Sequence, residues 1–481
     1  MAISSAFNNA LAGLIAARRG SDVVSSNIAN ASTPGFGRRS LELAPSPFGG
    51  VRVSSIVRHS DPGLLASRRQ ADSGQAHSQT LATYHGAVEG LVGTATDAGS
   101  LSARLADFES DLVAAASLPG SDARLDQVAR SAELLAGAIN DAADGLSALR
   151  TKADNAIGEQ VQRVNALLGQ VKDLNVAIAR QGGPRGDANA LIDQRQVLID
   201  ELNQIIPVNV MARDHGHVAL YTEGGAALLD GVVAELSFDP ARDVLSHMTV
   251  DNGLLSGLEI NGEPVPTSGP ASVLGTGAMA ANFQIRDAEA LEAQADLDAL
   301  ARDLVERFQS ATTDPTLGPG DAGLFTDNGA AFDPSLEAGL AGRLSVNALV
   351  SSAGAGETWR LRDGLGASLP GDTGDARQLN RLSDALSTKR VPASGGFSTG
   401  SMTAGDIAAA VMSRAGLNRI NAEQAQGFAS ARQTELQRLE LAQGVDTDAE
   451  LQTLMVVEQA YAANARVIQA IDEMLDSLMR L

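Results

Sequence analysis

The stretch DHGH (214–217) gathers the side chains best suited to chemistry: Asp214, His215 and His217. Alternate residues of a strand point to one side, so two imidazoles two positions apart could converge on a metal ion. A complete zinc site takes three or four protein ligands. Here the third must come from elsewhere, and the stretch falls at a turn between strands, so no metal site is expected. Adjacent acids such as Asp472 and Glu473 read as the solvated face of a helix. Asn30-Ala31-Ser32 fits a glycosylation acceptor, but three residues are a weak pattern without a secretory signal. No phosphate-cradling glycine loop and no G-x-S-x-G elbow occurs. With no cysteine in the chain, thiolate catalysis, disulfides and iron–sulfur clusters are excluded. No catalysis, metal or cofactor is expected.

Composition limits the rest. The 481 residues carry a formal charge of −22, and an acidic chain repels phosphate, so nucleic acid is not an expected partner. Hydrophobic residues make up 44% and aromatics 3%. That rules out general disorder and leaves cores of Leu, Ile, Val and Ala, which suits helix-on-helix packing. The length calls for two to four domains. The short apolar run ALAGLIAA (10–17) is followed, not preceded, by Arg18 and Arg19, the reverse of a secretory signal. No run approaches the ~20 residues of a membrane span, so membrane insertion is not expected, and any export would leave the N-terminus uncleaved.

The elements that position these residues begin with a helix over about 3–29. Ile3, Phe7, Ala10, Leu14, Ala17, Val24 and Ile28 keep heptad spacing, with Ser21 in the polar place. Ser4 or Ser5 can cap it, and Thr33-Pro34-Gly35 stops it. A second seam lies near the other end, over about 448–479: Leu454, Val457, Tyr461, Asn464, Ile468, Ile471, Leu475 and Leu478. A buried Asn464 in it would set register. Residues 1–40 hold four arginines against Asp22, a net of +3, and residues 441–481 hold two against seven acids, a net of −5. Two seams of opposite charge are expected to pair as a coiled coil, with burial dominating, since exposed ion pairs contribute only ~0–1 kcal/mol.

Between them, 125–178 lacks proline and keeps a heptad stripe through Leu149, then drifts in phase at Ala153, Ile157 and Val161. QGGPRGD (181–187) reads as a turn and 188–206 as the returning arm of a long helical hairpin. Period-two segments VNVMA, HVALYT and LSFD follow between Pro207 and Pro266. A helix over 286–311, a Gly/Pro/Asp-rich stretch, a mixed segment, a linker at 393–401 and a helix over 404–443 complete the order. The expected fold is mainly α with an inserted β-rich domain, nested as 1–40 with 440–481, then 41–206 with 400–439, then 207–399 outermost.

The end motifs NIANASTPGF (27–36) and QAYAANARVIQAIDEMLDSLMRL (459–481) together resemble those of bacterial flagellar axial proteins, the rod, hook and hook-associated proteins. The hairpin arm LIDQRQVLIDELNQIIPV (191–208) and the helix FQIRDAEALEAQADLDALARDLVERFQ (283–309) are similar to the hook-associated protein 1 family. The resemblance covers about half the chain. GFGRR (35–39) departs from a family pattern closer to GYSRQ. The resemblance implies a structural subunit at the junction of hook and filament, secreted by the flagellar type III route and located in the extracellular flagellum. It implies self-association in a tubular array, hook protein and a second junction protein as neighbours, and an export chaperone on the C-terminal helix. Assembly residues would be Phe7, Leu14, Val24, Asn27, Ile28, Asn30, Pro34, Gly35, Phe36, Tyr461, Asn464, Ile468, Ile471, Leu475 and Leu478. A hook or distal-rod protein is the near alternative; its mark would be a β-rich segment directly after residue 36, which the sequence does not display. A secreted enzyme linked to flagellar assembly is the distant one and would need a convergent acid/base site.

Overall fold

Helix α1 (Ala2–Ala29) runs to the Asn30–Phe36 turn, where Gly35 sits at φ +76°, a conformation glycine adopts without cost. The computed structural model describes residues 2–47, 49–181, 188–397 and 400–480. The turn expected at 181–187 lies outside the described residues apart from Gln181, and the linker at 393–401 is described only in part.

Directly after the turn comes an antiparallel hairpin, β1 (Arg39–Pro45) and β2 (Val51–Arg58). The sequence reading saw no β structure here, and the structure corrects it. Leu41 and Leu43 on one strand, and Val51 and Val53 on the other, do alternate, but over too few residues to compete with the helical stripes on either side. Asp61 accepts from the backbone N–H of Gly63 and Leu64 and starts α2 (Pro62–Val92). Then follow α3 (Leu101–Ser117), α4 (Asp122–Gln181) and α5 (Asn189–Ile205). At 60 residues, α4 is about 90 Å long.

A four-stranded antiparallel sheet, β3 (Val208–Ala212), β4 (Val218–Thr222), β5 (Ala227–Asp230) and β6 (Val232–Val233), lies beside three short strands, β7 (Leu236–Ser237), β8 (Leu258–Ile260) and β9 (Glu263–Val265). The central helix starts earlier than its periodicity implied. It runs from α6 (Ala278–Gln284) through a π-turn at Ile285–Glu289 into α7 (Ala290–Gln309). A two-stranded sheet, β10 (Phe325–Asp327) with β11 (Leu344–Val346), and helices α8 (Arg360–Asp363) and α9 (Arg377–Ser387) fill the mixed segment. A Thr403/Asp406 capping box opens α10 (Ala404–Ala442), and Asp446 caps α11 (Thr447–Met479).

Two cores share α4. One joins its N-terminal half to α2, α3, α7, β10, β11, α9 and the start of α10. The other joins its C-terminal half to α5, the strands of 208–265 and α6. The cores therefore divide 207–399, which the sequence reading kept as one outer domain, because α7 buries Leu297, Leu300, Leu304 and Phe308 on the helical side. At the handover, where the stripe changes phase, Arg150 and Asp154 are buried. Asp154 pairs with fully buried Arg286 at 2.7 Å, and Arg150 donates to the carbonyls of Arg286, Leu245 and Met248. The π-turn aims Arg286 inward, and the polar contacts occupy the place that an apolar stripe position would otherwise fill.

Candidate functional site: a clasp between the chain ends

The two ends of the chain lie side by side. Helices α1 and α11 are antiparallel in one register: Gly13 lies against Asn464, Gly20 against Val457 and Asn27 against Glu450. The half of the expected α1 seam formed by Ala10, Ala17 and Val24 is buried. The other half is one residue off. Its places belong to Gly13, Gly20 and Asn27, while Phe7 is 40% exposed and Leu14 and Ile28 are half-buried. The search for bulky apolar residues passed over the glycines, yet their lack of a side chain sets the close approach. A Cβ on Gly13 would stand 2.6 Å from the Asn464 side chain. The sequence reading expects Asn464 to be buried and to set register, and it is half-buried. Its amide donates to Ala460 of its own helix, so its bulk, fitted to Gly13, is what registers the pair.

On α11, Ile471 is buried and Leu454, Val457 and Ile468 are half-buried, as the heptad spacing requires. Tyr461, Leu475 and Leu478 are 49%, 45% and 57% exposed.

Asn27 is the centre of the clasp and is fully buried. Its Nδ2 donates to the Arg39 carbonyl at 2.8 Å and to Glu450 Oε2 at 3.0 Å, and its Oδ1 accepts from the Arg39 N–H at 3.0 Å. Glu450, 2% exposed, also takes Arg38 Nε at 2.8 Å. One carboxamide thus joins the first helix, the hairpin and the last helix.

The motif turn then docks on α5. Asp193 accepts from the Gly37 N–H at 3.1 Å and pairs with Arg39 at 2.8 Å and Arg58 at 2.7 Å. Arg58 reaches the Gly35 carbonyl and Gln196. A side chain on Gly35 would strike Val197 at 2.6 Å. Arg39 stacks 4.8 Å over the half-buried Phe36 ring, Asn30 caps back to Ser26, and Pro34 stands exposed at the rim of a groove of about 850 Å³ beside Leu174 and Val197. The NIANASTPGF motif and the LIDQRQ segment, read separately in the sequence, are two halves of one contact.

Further along α5, Arg195 donates to Asn175 and Gly216. Burial, with Arg58 and Arg69 near by, pushes its pKa down to about 10. Arg68 bridges Asp72, Asp200 and Glu440, tying α2, α5 and α10. Burial opposes its charge, but the three acids outweigh it and hold its pKa above the ordinary value. Sequence reasoning missed Glu450, Asp193, Arg38, Arg39 and Arg58. Glu450 lies one seam step before Leu454, where a lone acid in an apolar register was the available signal.

The histidines at 215 and 217 do not share a strand. Asp214–Gly216 is a 3-10 turn, His215 has φ 57°, and β4 begins only after His217. Among the described residues, no group of three or more His, Asp or Glu side chains is placed to hold a metal ion, and no helix is long and apolar enough to cross a membrane.

Comparison with known proteins gives three family matches: "Flagella basal body rod protein" over residues 7–36, "Flagellar hook-associated protein FlgK helical domain" over 86–323 and "Flagellar basal body rod FlgEFG protein C-terminal" over 441–481. Flagellar hook-associated protein 1 of Bacillus subtilis (strain 168) is 24% identical over 94% of this chain and 93% of its own. The Escherichia coli (strain K12) protein of that name is 26% identical over 67% of this chain. The match spans 59% of that relative's length. A solved structure of the flagellar hook junction protein FlgK from Burkholderia pseudomallei matches 55% of this chain and 46% of its own, with 21% identity and a TM-score of 0.44, too loose to place the layers.

Proposed function

The chain belongs to the family of flagellar hook-associated protein 1, and from that premise we propose that it is a structural subunit of the bacterial flagellum, forming the junction between hook and filament. The observation that carries this reading is the clasp. The two end motifs of axial proteins are joined through Asn27 and Glu450 and docked together on the helical hairpin through Asp193. The family is structural, and the groups of the clasp bond to one another, as a mechanical joint requires; we propose no catalytic role.

In this reading α1 and α11 form the innermost layer of a tubular array of copies, the helical core the next, and the strands of 208–265 the outer part. Hook protein and a second junction protein are the neighbours. The subunit leaves by the type III route with a chaperone on α11, and its place is the extracellular flagellum. Phe7, Leu14, Ile28, Tyr461, Ile468, Leu475 and Leu478 would serve contacts between copies.

The hairpin after residue 36 is the feature that speaks for a hook or rod protein. It is a single pair of strands, α2 follows at once, and the α3–α5 helices lie within the span matching the hook-associated helical domain. Immunogold labelling of isolated flagella tests the reading. Label at a band between hook and filament is the expected result; label along the whole hook or on the rod overturns it. A deletion strain is expected to grow hooks and shed filament subunits.

A further inference from the structure

Away from the clasp, the helical core leaves a chamber of about 40 Å³ where α2, α4, α7 and α10 meet. Its walls are apolar: buried Val88, Leu146 and Leu297, with Val411 on the α10 side. At about 10–15 Å³ for each water, it has room for roughly three non-hydrogen atoms. Tyr84, 5% exposed, lines it too, and its hydroxyl is buried with no hydrogen-bond partner among the described residues. A buried hydroxyl in that state costs free energy unless something in the chamber bonds to it. Glu289 and Glu292 line the same chamber, Glu292 from its exposed side. Burial first, and then these two carboxylates, hold the pKa of the Tyr84 hydroxyl above its ordinary value.

We infer that this chamber binds a short aliphatic primary ammonium, its charged head at Tyr84, Glu289 and Glu292 and its alkyl chain against Val88, Leu146 and Leu297. The donor count selects that head. A primary ammonium carries three N–H donors and no acceptor, and the chamber offers three acceptors, the Tyr84 hydroxyl oxygen and two carboxylates. The charge selects it as well. Among the described residues Glu292 makes no hydrogen bond or ion pair, and Glu289 accepts from the Gln284 amide at 2.8 Å. The cations near by do not neutralise them. Arg414 is taken by Asp296 at 2.5 Å, and Arg150 by the carbonyls of Arg286, Leu245 and Met248. Burial lowers the pKa of His85, although Glu289, 3.8 Å from its Nε2, acts the other way. Two carboxylates repel an anion, and water alone would satisfy the hydroxyl while leaving both charges unpaired. The walls take an alkyl chain, and the volume limits it to about three carbons. The inference goes beyond the junction role and does not rest on it. Since four helices supply the walls, an occupant ties α10 to α2, α4 and α7.

The test titrates the purified full chain with propylammonium chloride near neutral pH, against sodium chloride at equal ionic strength, and reads heat of binding and Tm. One molecule is expected to bind per chain, with a Tm that rises and then saturates. 1-Propanol should bind at least about tenfold more weakly, since it lacks the charge, and propionate should not bind. Tyr84→Phe removes a hydroxyl that has no partner, so without the amine its Tm should match or exceed that of the wild type. The same variant is expected to weaken propylammonium binding about tenfold, the worth of one hydrogen bond, and Glu292→Gln by at least as much. Heat and Tm that do not saturate overturn the inference. Equal binding of propanol and propylammonium overturns it in favour of an uncharged apolar hole. A Tyr84→Phe chain that melts lower than the wild type and binds the amine no differently overturns it in favour of buried water. Unchanged affinity in Glu292→Gln overturns the charged head.

Discussion

The side chain of Asn27 donates to Glu450 Oε2 at 3.0 Å, although 423 residues separate them. Both groups are buried, so each depends on the other for its hydrogen bonds. Replacing Asn27 by Ala leaves the Glu450 carboxylate and the Arg39 N–H short of partners, at about 1–3 kcal/mol for each buried group. The expected outcome is a terminal pair that comes loose from a body whose unfolding is unchanged. Limited proteolysis should cut near residues 36–60 and 440–450 in Asn27→Ala and spare the wild type. Equal resistance in both would show that the clasp does not hold the ends.

Asp193 binds two arginines and a backbone N–H, so Asp193→Asn keeps the size and removes the charge. Losing one member of a largely buried ion pair is destabilising on the order of 3 kcal/mol. The effect should fall on the motif turn alone. Hydrogen exchange at 33–39 is expected to quicken in Asp193→Asn while exchange across α4 stays as it was.

Gly13 offers a test of the seam. Alanine there favours helix by about 1 kcal/mol, but its Cβ meets the Asn464 side chain at 2.6 Å. Gly13→Ala alone is therefore expected to weaken the α1–α11 pair, and Gly13→Ala with Asn464→Ala to strengthen it beyond the wild type. Near-additive effects in a double-mutant cycle would disprove the contact.

Burial lowers the pKa of His77, although its bond to the Gly277 carbonyl offsets part of the shift; burial also lowers that of His85, although the Glu289 carboxylate acts the other way and offsets part of it. The unfolded chain then binds protons more readily than the folded one. The stability contributed by the neutral imidazoles is complete above about pH 6.5 and is lost as the pH falls through the folded values. Melting curves between pH 7.5 and 5 should show a falling Tm, with a shallower fall in His77→Gln and in His85→Gln.

How far the sequence could be read depended on how each element buries its side chains. The stripe of α4 and the strands β3 and β4 were legible because large apolar residues repeat at the element's own period. The glycine half of the α1 seam was not, since small residues carry no hydrophobic signal and gain meaning only against Val457 and Asn464. The hairpin after residue 36 was missed because its strands are short and half exposed and owe their place to α1 and α5. Asn27 could be singled out from the motif. Its partner Glu450, 423 residues away, left only the faint signal of an acid one seam step before Leu454, and one acid among seven in the last helix and its approach looks like solvated charge until a buried amide is set against it.

Leu475 and Leu478 separate folding from assembly most sharply. Each is about half exposed, and neither belongs to a core of the chain. Leu475→Ala with Leu478→Ala should therefore leave the Tm of the purified protein within experimental error of the wild type. In an array the same side chains would be covered, and burying a Leu contributes ~1.5–3 kcal/mol. That loss recurs at every subunit, so a monomer that is unchanged alone is expected to fail in company. Cells carrying only the double variant should secrete it, grow hooks and release filament subunits into the medium. Normal filaments on such cells would show that the free end of α11 is not an assembly surface. A lowered Tm would show instead that the two leucines already serve the single chain.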